Sequence, residues 1–323
     1  MIQKLKKGLI PLLLIVAVLV IPLFTGSTTQ IDSRNNNRVS QGITPPSAPA
    51  VSEFAGEKIT LDRMDLRERM DRELLAFSYM HTSSVLMIKR ANRYFPLIEK
   101  ILKENNIPDD LKYLMAIESS MDTEARSHAG AAGFWQFMQG TARDFNLEVN
   151  NNIDERYHIE KSTVAACKYL RGAYNKYGNW LTAAASYNAG QGRISNELSR
   201  QGVDHAADLW LVQETSRYMF RLLAAKQMFQ NPKQFGFFLT EEQLYHPIEY
   251  KTIEINQPIS NLISFAKEQG ITYAQLKEAN PWLRGRSLEN RSRRTYQVLI
   301  PTKESIYFDP HKIKAHQSAW VVK

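Results

Sequence analysis

Apolar positions recur at helical spacing through the middle of the chain. Tyr94, Leu97, Ile98, Ile101 and Leu102 fall at i, i+3, i+4 intervals, and Ala166, Leu170, Ala173, Tyr174 and Tyr177 repeat the pattern. A stripe with this period marks a helix with one buried face. Residues 61–238 read this way almost throughout, which predicts a mainly α domain over 61–245. Near Pro247 the texture changes. Tyr250–Ile255 alternates, helical spacing returns over 259–268 and Tyr273–Ala279, and Tyr296–Pro301 alternates again before its proline. Strand, helix, helix, strand in so short a stretch predicts a separate α+β module over 246–303, with 304–323 as a tail.

The N-terminal pattern is different. Lys4, Lys6 and Lys7 precede an apolar run over 9–24, interrupted by Pro11 and Pro22 and followed by Thr25, Gly26 and Ser27. This is the basic, apolar, small-residue layout of an export signal. At ~1.5 Å per residue the run spans roughly 24 Å, short of a ~30 Å hydrocarbon core. Residues 1–27 are therefore expected to be a removed signal peptide or a tilted signal anchor, and no cysteine follows to carry a lipid. Residues 28–60, rich in Ser, Thr, Asn, Gln and Pro, read as a solvated linker.

Composition narrows the function. A single cysteine, Cys167, leaves no disulfide framework and no multi-thiolate site, and seven scattered His give no zinc-type cluster. Cys167 itself falls within the helical pattern and reads as a small buried residue. The formal charge of +8 suits an anionic partner or simply a soluble basic surface. Export disfavours nucleic acid and turns the expectation to wall polymers or a membrane surface.

One polar residue breaks an apolar face. Pro108 opens a turn with Asp109 and Asp110, and Leu111, Leu114 and Met115 mark the inward face that follows. The next position on that face holds Glu118. Burial penalises a charged carboxylate and raises its pKa, so such a group can donate a proton near neutral pH. A buried glutamate paired with a nearby arginine such as Arg126 satisfies the same periodicity. Downstream, residues 127–133 (Ser-His-Ala-Gly-Ala-Ala-Gly) allow close backbone approach, and Phe134, Trp135, Gln136, Phe137 and Met138 follow at once. Aromatics beside an amide suit a sugar, although Phe134 and Trp135 also suit a core. A second polar turn runs from Ser186 through Tyr187, Asn188 and Ala189 to Gly190, where glycine fits a helix C-terminal cap.

Taken together and in order, Glu118-Ser119, Gly133-Phe134-Trp135-Gln136-Phe137-Met138 and Ser186-Tyr187-Asn188-Ala189-Gly190 resemble the signature of family 23 lytic transglycosylases. The stretches around Ile107-Pro108-Asp109-Asp110-Leu111, Asp154-Glu155-Arg156 and Glu214-Thr215-Ser216-Arg217-Tyr218 resemble the membrane-bound lytic murein transglycosylase D branch. The likeness covers roughly residues 60–235. It implies a lysozyme-like helical domain with a groove for glycan strands, cleaving the β-1,4 bond between N-acetylmuramic acid and N-acetylglucosamine. It makes Glu118 the sole catalytic acid and base, and Ser127, Gln136, Met138, Tyr187 and Asn188 groove-lining positions. Glu214 and Tyr218 match a branch motif. The sequence departs from the pattern at Ser186, where alanine is usual, and in lacking the branch's lipid-bearing cysteine.

The C-terminal module is similar to a LysM domain, a βααβ unit that binds N-acetylglucosamine polymers. Leu276, Asn280, Val298 and Ile300-Pro301 carry the likeness, while Asn256-Gln257-Pro258-Ile259-Ser260 replaces the usual Gly-Asp-Thr turn. The resemblance implies peptidoglycan as partner, a cell-envelope location and no metal or organic cofactor. With one carboxylate in the motifs, the muramic C6 hydroxyl would serve as nucleophile and leave a 1,6-anhydro end. A hydrolytic muramidase using Asp122, Glu124 or Asp154 as second carboxylate, and a non-catalytic glycan binder, are the competing expectations.

Overall fold

The computed structural model describes residues 44–322; the export-like segment over 1–27 lies outside the described residues. The first element of the described residues is a hairpin. Strands β1 (Val51–Phe54) and β2 (Glu57–Thr60) pair antiparallel across Ala55-Gly56. Both turn residues have positive φ, as a two-residue primed turn requires. The linker expected over 28–60 is thus corrected: its second part is folded. Phe54 and Leu61 are fully buried. Glu57 accepts the Trp180 N–H with both oxygens (2.8 and 2.9 Å), and buried Lys226 donates to Glu53 and Asp110.

Eight helices follow among the described residues before the second module: α1 (Met64–Tyr79), α2 (His81–Glu104), α3 (Lys112–Ser119), α4 (Gln139–Asp144), α5 (Ile159–Tyr177), α6 (Trp180–Ala189), α7 (Gln191–Gln201) and α8 (Gln213–Gln230). Helix α8 is the hub, packing on α1, α3 and α6. Helix α6 has no polar face over its first two turns, because Leu181 through Ser186 are all buried. Its run of alanines lets α5, α7 and α8 approach it closely. Asn179 starts it by accepting the Thr182 N–H, and Gly190, with φ +85°, ends it.

The second module has the expected βααβ order. Strand β3 (Tyr250–Ile255) pairs antiparallel with β4 (Tyr296–Pro301), with Tyr250 opposite Pro301. Helices α9 (Leu262–Glu268) and α10 (Tyr273–Ala279) lie between. Asn261 caps α9, and Thr272 with Gln275 forms a capping box on α10. The module's core, around Leu276, Trp282 and Val298, continues into Ala132, Ile153 and Tyr157 of the helical domain. Ile153 pairs with Leu283 in a β-bridge, Asp154 N–H donates to the Trp282 carbonyl (2.9 Å), and the Asn152 amide donates to the Ser287 carbonyl (2.8 Å). The two parts are docked, not tethered.

The expected tail is also corrected. Trp320 is fully buried, its ring against Phe95 and Phe229, and its indole N–H donates to the Phe229 carbonyl (2.8 Å). This segment packs into the helical core, and its apolar residues, Trp320 above all, are what hold it there.

Candidate active site

Helix α3 is short and almost wholly buried, from Leu114 through Ile117. It ends at Ser120 in the left-handed conformation (φ 51°), where Arg90 holds the chain by donating to the Ser120 carbonyl (2.9 Å) and to Asp122 (3.1 Å). Glu118 sits on its last turn, with its side chain partly open to solvent. The Tyr218 hydroxyl, from α8, donates to Glu118 Oε1 at 2.6 Å.

The carboxyl's surroundings decide its charge. Burial among protein atoms pushes the Glu118 pKa up to about 7, and this outweighs the Tyr218 hydrogen bond and the Arg221 charge, both of which favour the ionised form. Glu214, exposed in the first turn of α8, adds a like charge that favours protonation. Burial, and the facing carboxylate of Glu118, hold the Tyr187 and Tyr218 phenols well above their usual range. A carboxyl poised in this way can give a proton and take one back near neutral pH.

The alternative in which Glu118 pairs with an arginine such as Arg126 is corrected. Arg126 pairs through its backbone with Ala132 in the loop, and the cation acting on Glu118 is Arg221. Sequence reasoning missed Arg221. Its signal was the i, i+3 spacing from Tyr218, which puts both on one face in the first half of α8 and meets Glu118 only once α3 is packed there. Arg217, one turn earlier, donates to the buried carboxylate of Glu73 (2.7 Å).

The loop after α3 is built to hold its shape. Gly133 has φ +76°, and a Cβ there would lie 1.9 Å from the Arg156 carbonyl, so no other residue fits. Gln136, also at positive φ, donates its amide to the Ala125 and Gly133 carbonyls (3.1 and 2.7 Å). Arg156 forms a two-pronged pair with Asp154 and donates to the carbonyls of Gly130 (2.7 Å) and Phe137 (3.1 Å). Ser127 is exposed and its hydroxyl accepts the Ala131 N–H (3.0 Å). Phe134 and Trp135 are core; the Trp135 indole donates to Thr163 (2.9 Å).

Tyr187 joins this loop to α6, donating its hydroxyl to the Trp135 carbonyl (2.7 Å). Asn188 is half-buried beside it, and Met138 is 47% exposed. The structure thus brings Tyr187, Tyr218 and Glu214 to Glu118, and places Gln136 and Ser127 as organisers of the neighbouring loop. Cys167 is buried in α5, with its thiol pushed up to about 12, and takes no part. Among the described residues no group of three or more His, Cys, Asp or Glu side chains is placed to hold a metal ion, and no helix is long and apolar enough to cross a membrane.

A mostly helical domain with a carboxyl whose pKa is raised to about 7, joined to a βααβ module, is the arrangement to set beside known proteins. Residues 95–209 match the family model of the transglycosylase SLT domain, and residues 251–304 match that of the soluble lytic transglycosylase C-terminal LysM-like domain. The chain is 29% identical over 260 residues to membrane-bound lytic murein transglycosylase D of Escherichia coli strain K12, covering 78% of this chain and 56% of that protein. The chain therefore spans about half the length of the relatives it matches over this range. Soluble lytic murein transglycosylase of the same strain is 29% identical over 143 residues, 41% of this chain and 22% of that one. Among solved structures, the 70 kDa soluble lytic transglycosylase of Escherichia coli aligns over 55% of this chain and 31% of its own, at 21% identity and TM-score 0.39.

Proposed function

We propose that the chain is a peptidoglycan lytic transglycosylase, cleaving the β-1,4 bond between N-acetylmuramic acid and N-acetylglucosamine with Glu118 as sole acid and base. The observation that carries the reading is the Glu118 carboxyl, raised to about 7 and held by Tyr218. The SLT and LysM-like matches and the names of the relatives support it.

In this reading protonated Glu118 donates to the glycosidic oxygen as the bond to C1 of the muramic unit breaks. The N-acetyl oxygen of that unit stabilises the developing cation. Ionised Glu118 then takes the proton of the C6 hydroxyl, whose oxygen bonds to C1 and closes a 1,6-anhydro ring. No water enters, and Glu118 ends protonated, as it began. Ser127, Gln136, Met138, Tyr187 and Asn188 line the groove, while Glu214 favours the protonated start. Such a substrate puts the work in the cell envelope, with residues 1–27 as export segment or anchor.

The hydrolytic alternative loses support at two of its three candidate carboxylates, Asp122 and Asp154, and keeps only exposed Glu124. Asp154 is buried and bound two-pronged to Arg156, and Asp122 is paired with Arg90. Digestion of purified peptidoglycan, read by mass spectrometry, tests the proposal. The wild type should release anhydro-muropeptides, lighter by one water than hydrolysis products, and Glu118→Gln almost none. Equal product from both, or hydrated ends, overturns it.

A further inference from the structure

A cavity of about 380 Å³ lies where the helical domain and the LysM-like module meet. That size is within the ~300–1,000 Å³ range of small-molecule sites. Its walls come from both parts: Arg93 and Tyr94 of α2 and His158 on one side, Tyr250, Glu278 and Trp282 on the other. Tyr250 is 40% exposed, and Trp282 is buried with its ring stacked on His158 (5.7 Å between centroids, 27° between planes). Burial drives the His158 pKa down to about 3, so the ring is neutral. The β3–α9 turn over 256–260, where the LysM likeness would put its sugar loop, contributes nothing to these walls.

The charges choose among ligands. Arg93 is the cation of the cavity, and it is already engaged: its Nε donates to the His246 carbonyl (2.9 Å) and its guanidinium lies over the Tyr245 ring (5.3 Å). Glu160 and Glu278, both exposed, supply two carboxylates at the rim. Trp282 is sandwiched between His158 and Tyr296 and shapes the cavity floor without offering a face, so the cavity offers the tyrosine rings of Tyr94 and Tyr250, hydrogen-bonding tips and a slight negative balance. Peptide stems of the wall carry free carboxylates and are repelled there. A neutral N-acetylated sugar is not, and its apolar ring face suits the exposed Tyr250.

We propose that this interdomain cavity is a second saccharide site, taking an uncharged N-acetylglucosamine unit of a glycan strand. The site rests on the reading of the chain as glycan-acting, but not on catalysis. Because the two parts are docked through Ile153, Asp154 and Trp282, a sugar held there sits at a fixed offset from Glu118. Thr123, five positions after Glu118, also lines the cavity, which places it beside the catalytic loop.

The test uses the chain carrying Glu118→Gln, so that nothing turns over, and chitotetraose bearing a photoreactive group. Cross-links mapped by mass spectrometry should fall both on the 127–138 loop and on peptides containing Tyr250 and Trp282. Tyr250→Ala should remove the second set, weaken calorimetric binding at one of two sites at least tenfold, and leave the first set in place. Thr252→Trp, which fills the mouth from an exposed strand position, should do the same if Tyr250→Ala folds poorly. Cross-links confined to the loop overturn the second site while leaving the proposed function standing. No cross-links at either place count against both, and labelling of the cavity by a stem tetrapeptide in place of the sugar overturns the choice of ligand.

Discussion

The hydroxyl of Tyr218 donates to Glu118 Oε1 at 2.6 Å, joining residues a hundred positions apart in sequence. A donor aimed at a carboxylate stabilises its ionised form. Glu118 is therefore held by opposed forces: burial raises its pKa to about 7, and Tyr218 and Arg221 keep it from rising further. Removing the phenol hydroxyl with Tyr218→Phe should move the pKa up. An acid that works while protonated loses activity as pH rises through its pKa, so that limb of the kcat/KM profile should shift to higher pH. The rate at the optimum should fall by about tenfold as the carboxyl loses its orientation. A pH–rate series on both proteins checks the direction, and a limb moving to lower pH would refute the assignment.

Glu118 also links pH to stability. Its folded pKa of about 7 lies above the ordinary value of 4.5, so the folded state prefers the protonated form. Below about pH 4.5 the group is neutral in both states and costs nothing. As pH rises through 7 the unfolded chain is ionised while the folded one resists ionisation, and stability falls. At ~1.4 kcal/mol per unit, the loss is at most about 3.5 kcal/mol. Glu118→Gln should thus melt higher than the wild type at pH 8 and nearly level with it at pH 4. Paired thermal scans at the two pH values measure this.

Gly133 offers a test of the loop. Its positive φ alone costs an alanine about 1 kcal/mol, and the backbone carbonyl of Arg156 occupies the place of the new Cβ. Gly133→Ala should destabilise by more than about 2 kcal/mol and abolish glycan binding in the groove. Gly130→Ala is the control: its φ is +89° but nothing lies within 4 Å of an added Cβ, so the loss should stay near ~1 kcal/mol. Chemical denaturation of both variants separates clash from backbone strain.

The parts of this fold that were legible in sequence are those with several periods of pattern. Strands Tyr250–Ile255 and Tyr296–Pro301 and helix Tyr273–Ala279 appear at the expected residues because alternation and helical spacing persist long enough to be read. The hairpin over 51–60 was not legible. Each strand has four residues and sends only Phe54 or Ile59 inward, too few to show a period. Glu118 stood out because a carboxylate interrupted an apolar face. Arg221 and the docking of Trp282 on Tyr157's surroundings did not, because both depend on which helix lies against which, a long-range matter that local spacing does not encode.

The chain end makes the same point in a form that can be measured. Residues 304–323 carry apolar side chains at no helical or strand period, yet Trp320 is fully enclosed against Phe95 and Phe229 and Ile313 is 1% exposed in the same core. Deleting a buried tryptophan side chain removes its transfer energy and leaves a cavity, together worth about 3–5 kcal/mol. It also orphans the buried Phe229 carbonyl that the indole satisfies. Trp320→Ala should therefore unfold the helical domain at markedly lower denaturant concentration, with the midpoint falling and the slope unchanged. Trp320→Phe should recover most of the packing but not the hydrogen bond, leaving a deficit of about 1–2 kcal/mol. A tail lying free on the surface would show neither effect, since surface substitutions stay within about ±0.5 kcal/mol.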